Sequence, residues 1–150
     1  MPKARHVRRF AAAMLSCIAA AAPSAHAVPS SDLVVIVSAK SPVTELRRDQ
    51  VAGIFLAPGA RFPHGGAAIA LDQRIGSKQR DLFYSQVAEL SPEQLKEHWS
   101  RNIFTGRGQP PREVAGNASV RRQVAQNPAL IGYIDRSALD RSVRAVLVVN

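Results

Sequence analysis

Apolar positions fall into short runs and helical stripes that alternate along the chain. Leu33-Val34-Val35-Ile36-Val37 is a continuous, β-branched run, the pattern of a strand buried on both faces. A polar turn ending in proline follows, Ser38-Ala39-Lys40-Ser41-Pro42. Arg48–Leu56 places Val51, Ile54 and Phe55 on one face of a short helix, which Pro58-Gly59 stops. Arg61–Ala67, rich in glycine and proline, is a loop that carries His64. Ile69-Ala70-Leu71 is a short buried strand, and Asp72–Gly76 a polar turn. Ser77 then caps a helix whose inward stripe is Leu82, Phe83, Val87 and Leu90.

Ser91-Pro92-Glu93-Gln94 is the clearest helix start: an N-cap serine, proline at the first helical position, and a glutamine closing a capping box. Leu90 and Leu95 take the staple positions, and Leu95, Trp99 and Ile103 form the inward stripe, with His98 beside it. Phe104–Pro111 is an extended loop in which Gly106 and Gly108 flank Arg107. Asn117 is read as the cap of a helix through Gln126, with Val120 and Val124 inward, ended by Asn127-Pro128. Leu130–Ile134 is a strand whose Gly132 suggests close backbone packing. Asp135–Arg141 is a polar connection, and Val143–Val149 a final strand. Strands alternating with helices predict an α/β fold with a mostly parallel or mixed sheet.

The first 27 residues do not belong to that pattern. Lys3, Arg5, Arg8 and Arg9 precede the apolar run Phe10–Ala22, and Ala25-His26-Ala27 offers small residues at cleavage spacing. This predicts a secretory signal peptide cleaved after Ala27, with residues 28–150 as one exported, periplasmic domain. The net charge of +9 includes the four basic residues of that segment. Without them, 16 Lys+Arg face 11 Asp+Glu, a net of +5. The excess suits anionic solutes, envelope lipid surfaces or acidic proteins, and export argues against nucleic acid. The single cysteine, Cys17, falls in the same segment, so neither disulfide nor thiol chemistry is expected of the exported domain. Met14-Leu15-Ser16-Cys17 is a poor match to a lipid-attachment site.

The candidate chemistry lies at Ile69–Phe83, where a strand passes into a helix. A helix start presents free N–H groups and a partial positive charge, and Arg74, Lys78 and Arg80 add full charges nearby. The product is an anion pocket or, alternatively, a capped surface helix with its basic residues in water. Ser38 and Lys40, after the first strand, are secondary candidates, because ligands in open α/β sheets bind beyond the strands' carboxyl ends. His64 and His98 stand without ligand-spaced partners, so no metal is expected. Ser77 has no motif-paired base, so a hydrolase is not expected, and no cofactor is expected either.

Several stretches in order are familiar together: Gln50–Leu56; Ile69-Ala70-Leu71 with Ser77 and Phe83; Phe104-Thr105-Gly106-Arg107-Gly108; Asn117–Val124; and Asn127–Tyr133. Over Leu33–Leu147 the chain resembles the phosphate-binding proteins of bacterial ABC transporters, type II periplasmic binding proteins, and above all their small single-lobe relatives. The resemblance implies a non-enzymatic protein that holds a tetrahedral oxyanion with backbone N–H groups, hydroxyls and an arginine. Its implied partners are inorganic phosphate or a similar anion and an ABC transporter permease or other envelope protein. The family's Ser-Gly-Thr falls on Ser77-Lys78-Gln79, matched at the serine only. Its upstream arginine falls on Gln73, with Arg74 alongside and Arg80 a substitute from within the helix. The family closes its solute between two lobes and this chain has room for one. That leaves a second reading, an interaction module, as a homodimer or an adaptor for an envelope partner.

Overall fold

The fold is built around β1 (Leu33–Ser38), all six residues of which are buried. A computed structural model describes residues 32–150. The predicted leader over residues 1–27 and Cys17 lie outside the described residues. The other elements are α1 (Arg48–Leu56), β2 (Ile69–Gln73), α2 (Lys78–Ala88), α3 (Pro92–Phe104), β3 (Arg112–Val114), α4 (Gly116–Gln126), β4 (Leu130–Asp135) and β5 (Val143–Val149), with a 3-10 turn at Arg136–Ala138.

The sheet runs β3-β2-β4-β1-β5. It is mixed: β2 pairs parallel with both β3 and β4, whereas β1 pairs antiparallel with β4 and β5. Leu33, Val35 and Val37 face a core made with Val51, Phe55, Phe83, Tyr84, Leu95 and Trp99 of α1, α2 and α3. Val34 and Ile36 face a second core with Val120 and Val124 of α4. Successive strand residues point to opposite faces, so the unbroken apolar run of β1 requires helices on both sides.

Local signals act as expected at several points. Ser91 Oγ accepts from Gln94 N–H at 3.2 Å and Gln94 Oε1 accepts from Ser91 N–H at 2.9 Å, completing the capping box. A Cβ on Gly132 would stand 2.5 Å from Val120 Cγ1, so only glycine lets α4 lie this close to β4. His64 is exposed, and His98 is half-buried with Nε2 3.0 Å from the Leu56 carbonyl.

Other points differ. Ile103 is 47% exposed, because the inward stripe of α3 ends at Trp99. Asn117 does not cap α4. The helix begins one residue earlier behind Ala115, and the Asn117 side chain turns to Asp135 instead. β3 follows the loop as three residues without an apolar run of its own, and pairing to β2 defines it.

Candidate functional site

β2, β3 and β4 are mutually parallel, so their carboxyl ends lie along one edge of the sheet, where open α/β sheets receive ligands. From that edge α2 follows β2 and α4 follows β3, so two helix N-termini open onto the same place. Between them is a cleft of about 440 Å³ lined by Gln73, Arg74, Ser77, Gln79, Ala115, Gly116 and Asn117.

The two starts are finished differently. On α2, Ser77 Oγ accepts from Arg80 N–H at 3.3 Å, and its hydroxyl hydrogen remains available to donate. On α4, Ala115 stands at the cap and makes no side-chain bond, which leaves the first-turn N–H groups without a side-chain partner. Gly116 enters the helix at φ +78°, a left-handed conformation that favours glycine. An uncapped helix start costs about 1 kcal/mol relative to a capped one.

A chain of amides forms the floor. Gln73 Nε2 donates to the Tyr133 carbonyl at 3.0 Å and to Asn117 Oδ1 at 3.2 Å. Asn117 Oδ1 also accepts from Asp135 N–H at 3.2 Å, and Asn117 Nδ2 donates to Asp135 Oδ2 at 2.6 Å. Gln79 Nε2 donates to the same oxygen at 3.3 Å. One carboxylate at the end of β4 thereby ties both helix starts to the sheet.

Beneath the floor lies a second carboxylate. Asp72 is 1% exposed. Its Oδ1 accepts from Tyr133 Oη–H and from Gln73 N–H at 2.8 Å. Its Oδ2 accepts from Arg80 Nε–H at 2.9 Å and Tyr84 Oη–H at 3.0 Å. Burial, reinforced by the adjacent Asp72 carboxylate, pushes both tyrosine hydroxyls well above the ordinary tyrosine range.

Four of the residues singled out in the sequence meet in the cleft: Gln73, Arg74, Ser77 and Gln79. Lys78 is exposed at the first position of α2, outside the lining. Arg80 is turned inward to Asp72. Ser38 lies at the opposite end of the sheet, because β1 runs antiparallel to β4: Leu33, not Ser38, sits beside Asp135. Its hydroxyl donates to the Ala125 carbonyl at 3.1 Å. Sequence reasoning missed Ala115, Gly116 and Asp135 as parts of this place, and took Asn117 only for a cap. The available signal was a glycine-polar pair opening a helix, Gly116-Asn117, the same strand-to-helix grammar as at Ser77.

Among the described residues no group of three or more His, Cys, Asp or Glu side chains is arranged to hold a metal, and no helix is long and apolar enough to cross a membrane.

No family model matches the chain, and no curated protein matches it. Solved structures share its fold. One, from Clostridium perfringens, is described as a phosphate ABC transporter substrate-binding protein with bound phosphate; the likeness has a TM-score of 0.61 at 22% identity and covers 76% of this chain and 43% of that one. An ABC-type phosphate transport receptor from Vibrio cholerae gives a TM-score of 0.60 at 20% identity, covering 76% of this chain and 44% of that one. PstS from Borrelia burgdorferi gives 0.56 at 13%, covering 79% and 46%. The chain thus spans less than half the length of each of these proteins. At such identities the likeness is one of fold: the described domain is built like a single lobe of a phosphate-transport binding protein.

Proposed function

We propose that the protein is an exported solute-binding module that takes phosphate or a similar small oxyanion at the cleft between α2 and α4. One observation carries the reading: two helix N-termini open onto one cleft, and one of them has no side-chain cap. Each start offers oriented N–H groups and a partial positive charge. Ser77 adds a hydroxyl donor, and Arg74 brings a full charge at the rim, with Lys78 near the mouth. Arg80 supports α2 from within. Residues 1–27 serve as the export signal, with cleavage after Ala27, and the module serves an ABC transporter permease or another envelope protein. Titration calorimetry of residues 28–150 with phosphate and with sulfate tests this. Heat that saturates with phosphate and weakens on Arg74→Ala supports it. No heat with either anion at millimolar concentration rules it out.

A second reading follows from a neighbouring surface. Ile75 and Ile103, 73% and 47% exposed, help line a groove of about 590 Å³ beside the cleft. A lobe with such a surface serves as an interaction module, pairing with a second copy or an envelope partner. Light scattering on the purified domain tests pairing with a second copy by mass, and pull-down from envelope extracts tests the envelope partner.

A further inference from the structure

Gln73 reaches the cleft from the last position of β2, yet it is only 3% exposed. Its backbone N–H is received by Asp72 Oδ1 at 2.8 Å and by Tyr133 Oη at 3.2 Å. Its side-chain Nε2 donates to the Tyr133 carbonyl at 3.0 Å. Tyr133 therefore holds one residue at two points, the main chain through its hydroxyl and the side chain through its carbonyl. The amide orientation is not ambiguous. A carbonyl can only accept, so the nitrogen must face Tyr133 O. Asp135 N–H can only donate, so Asn117 must face it with oxygen. Both amide hydrogens of Gln73 are thereby engaged. Its Oε1 has no hydrogen-bond partner among the described residues and remains the atom the side chain can offer to the cleft.

Tyr84 provides the contrast within the same network. It is as buried as Tyr133, at 1% against 0%, and it donates to the same carboxylate. It uses the other oxygen, Oδ2, on the Arg80 side, and makes no bond to Gln73. The molecule thus holds two buried tyrosines that donate to one carboxylate, only one of which touches the cleft floor.

We propose that Tyr133 is a positioning residue for ligand capture: its hydroxyl and carbonyl fix Gln73 so that Oε1 stands at a set place in the cleft. This rests on the reading of the cleft as a ligand site. It assigns Gln73 the task of accepting a hydrogen bond, which among small oxyanions requires one that carries an O–H, such as hydrogen phosphate. It also explains why a side chain on the floor of a cleft is tied down as firmly as a core residue.

Tyr133→Phe and Tyr84→Phe test it together. Both keep the ring, including the stack of Tyr133 on Phe83 at 3.9 Å between centroids, so both variants are expected to fold. Three quantities are read in each: the urea midpoint, hydrogen exchange at the Gln73 amide, and phosphate affinity by titration. Each variant removes one hydroxyl donor to Asp72, so both should lose stability. Tyr133→Phe alone should speed exchange at Gln73 and weaken phosphate, each by about tenfold, the equivalent of one hydrogen bond. Equal effects of both variants on exchange and affinity would make Tyr133 a plain core residue and overturn the proposal. Faster exchange at Gln73 with unchanged affinity would overturn it too, since the grip would then serve no ligand. If the unaltered protein takes up no phosphate, the functional reading fails by that result. Exchange at Gln73 then still shows whether Tyr133 holds it, and unchanged exchange removes the positioning role as well.

Discussion

Arg80 Nε lies 2.9 Å from Asp72 Oδ2, and the two side chains are 8% and 1% exposed. The pair joins the first turn of α2 to the end of β2 from inside the protein. Tyr84 and Tyr133 supply further donors to the same carboxylate. A buried charge is tolerated only when paired and hydrogen-bonded, and removing one partner leaves the other stranded.

Arg80→Met is therefore expected to destabilise the domain by about 3–5 kcal/mol. Urea denaturation followed by circular dichroism measures this. A shift within the scatter of surface substitutions, about ±0.5 kcal/mol, would show that the pair contributes nothing net.

Alkaline pH should unfold the protein through its tyrosines. Tyr84 and Tyr133 are the only two in the chain, and both hydroxyls are held protonated in the fold. Their folded-state values lie above the unfolded one, so the unfolded chain releases these protons first. Stability is full below the ordinary tyrosine value of about 10 and falls as the pH climbs past it, by about 1.4 kcal/mol per pH unit for each tyrosine. With no other tyrosine present, tyrosinate absorbance reports these two alone. It should appear together with the loss of secondary structure; tyrosinate forming in a folded protein would contradict the buried network.

The two serine caps should separate stability from binding. Ser77→Ala and Ser91→Ala each remove one side-chain cap and should each cost about 1 kcal/mol. Only Ser77 lines the cleft. Phosphate titration of the pair should show weakened uptake for Ser77→Ala and none of that loss for Ser91→Ala.

Gly132→Ala should destabilise the domain by about 1–3 kcal/mol, because the added methyl meets Val120 Cγ1 on α4. Thermal unfolding gives the stability change. Amide chemical shifts at Gly116 and Asn117 should move with it, since α4 is the element that must yield.

Much of this architecture is legible residue by residue. The unbroken apolar run at Leu33–Val37 demands two covered faces, and Ser91-Pro92-Glu93-Gln94 marks a helix start from four neighbouring side chains. Gly132 in an apolar strand announces a close approach. Ser77 caps α2 because its hydroxyl needs only the N–H three residues on. All of these depend on contacts within a turn, or on the sign of burial, which local pattern carries. Direction and partnership were decided elsewhere. That β1 runs against β4 sends Ser38 to the far end of the sheet, and strand direction is set by pairing across almost the whole chain. That Arg80 turns inward follows from the buried Asp72, whose Oδ2 it shares with Tyr84. That Asn117 serves the cleft floor follows from Asp135 arriving beside it on β4. A charged or amide side chain has several partners open to it in sequence, and only the packed structure, by withdrawing water, leaves it one.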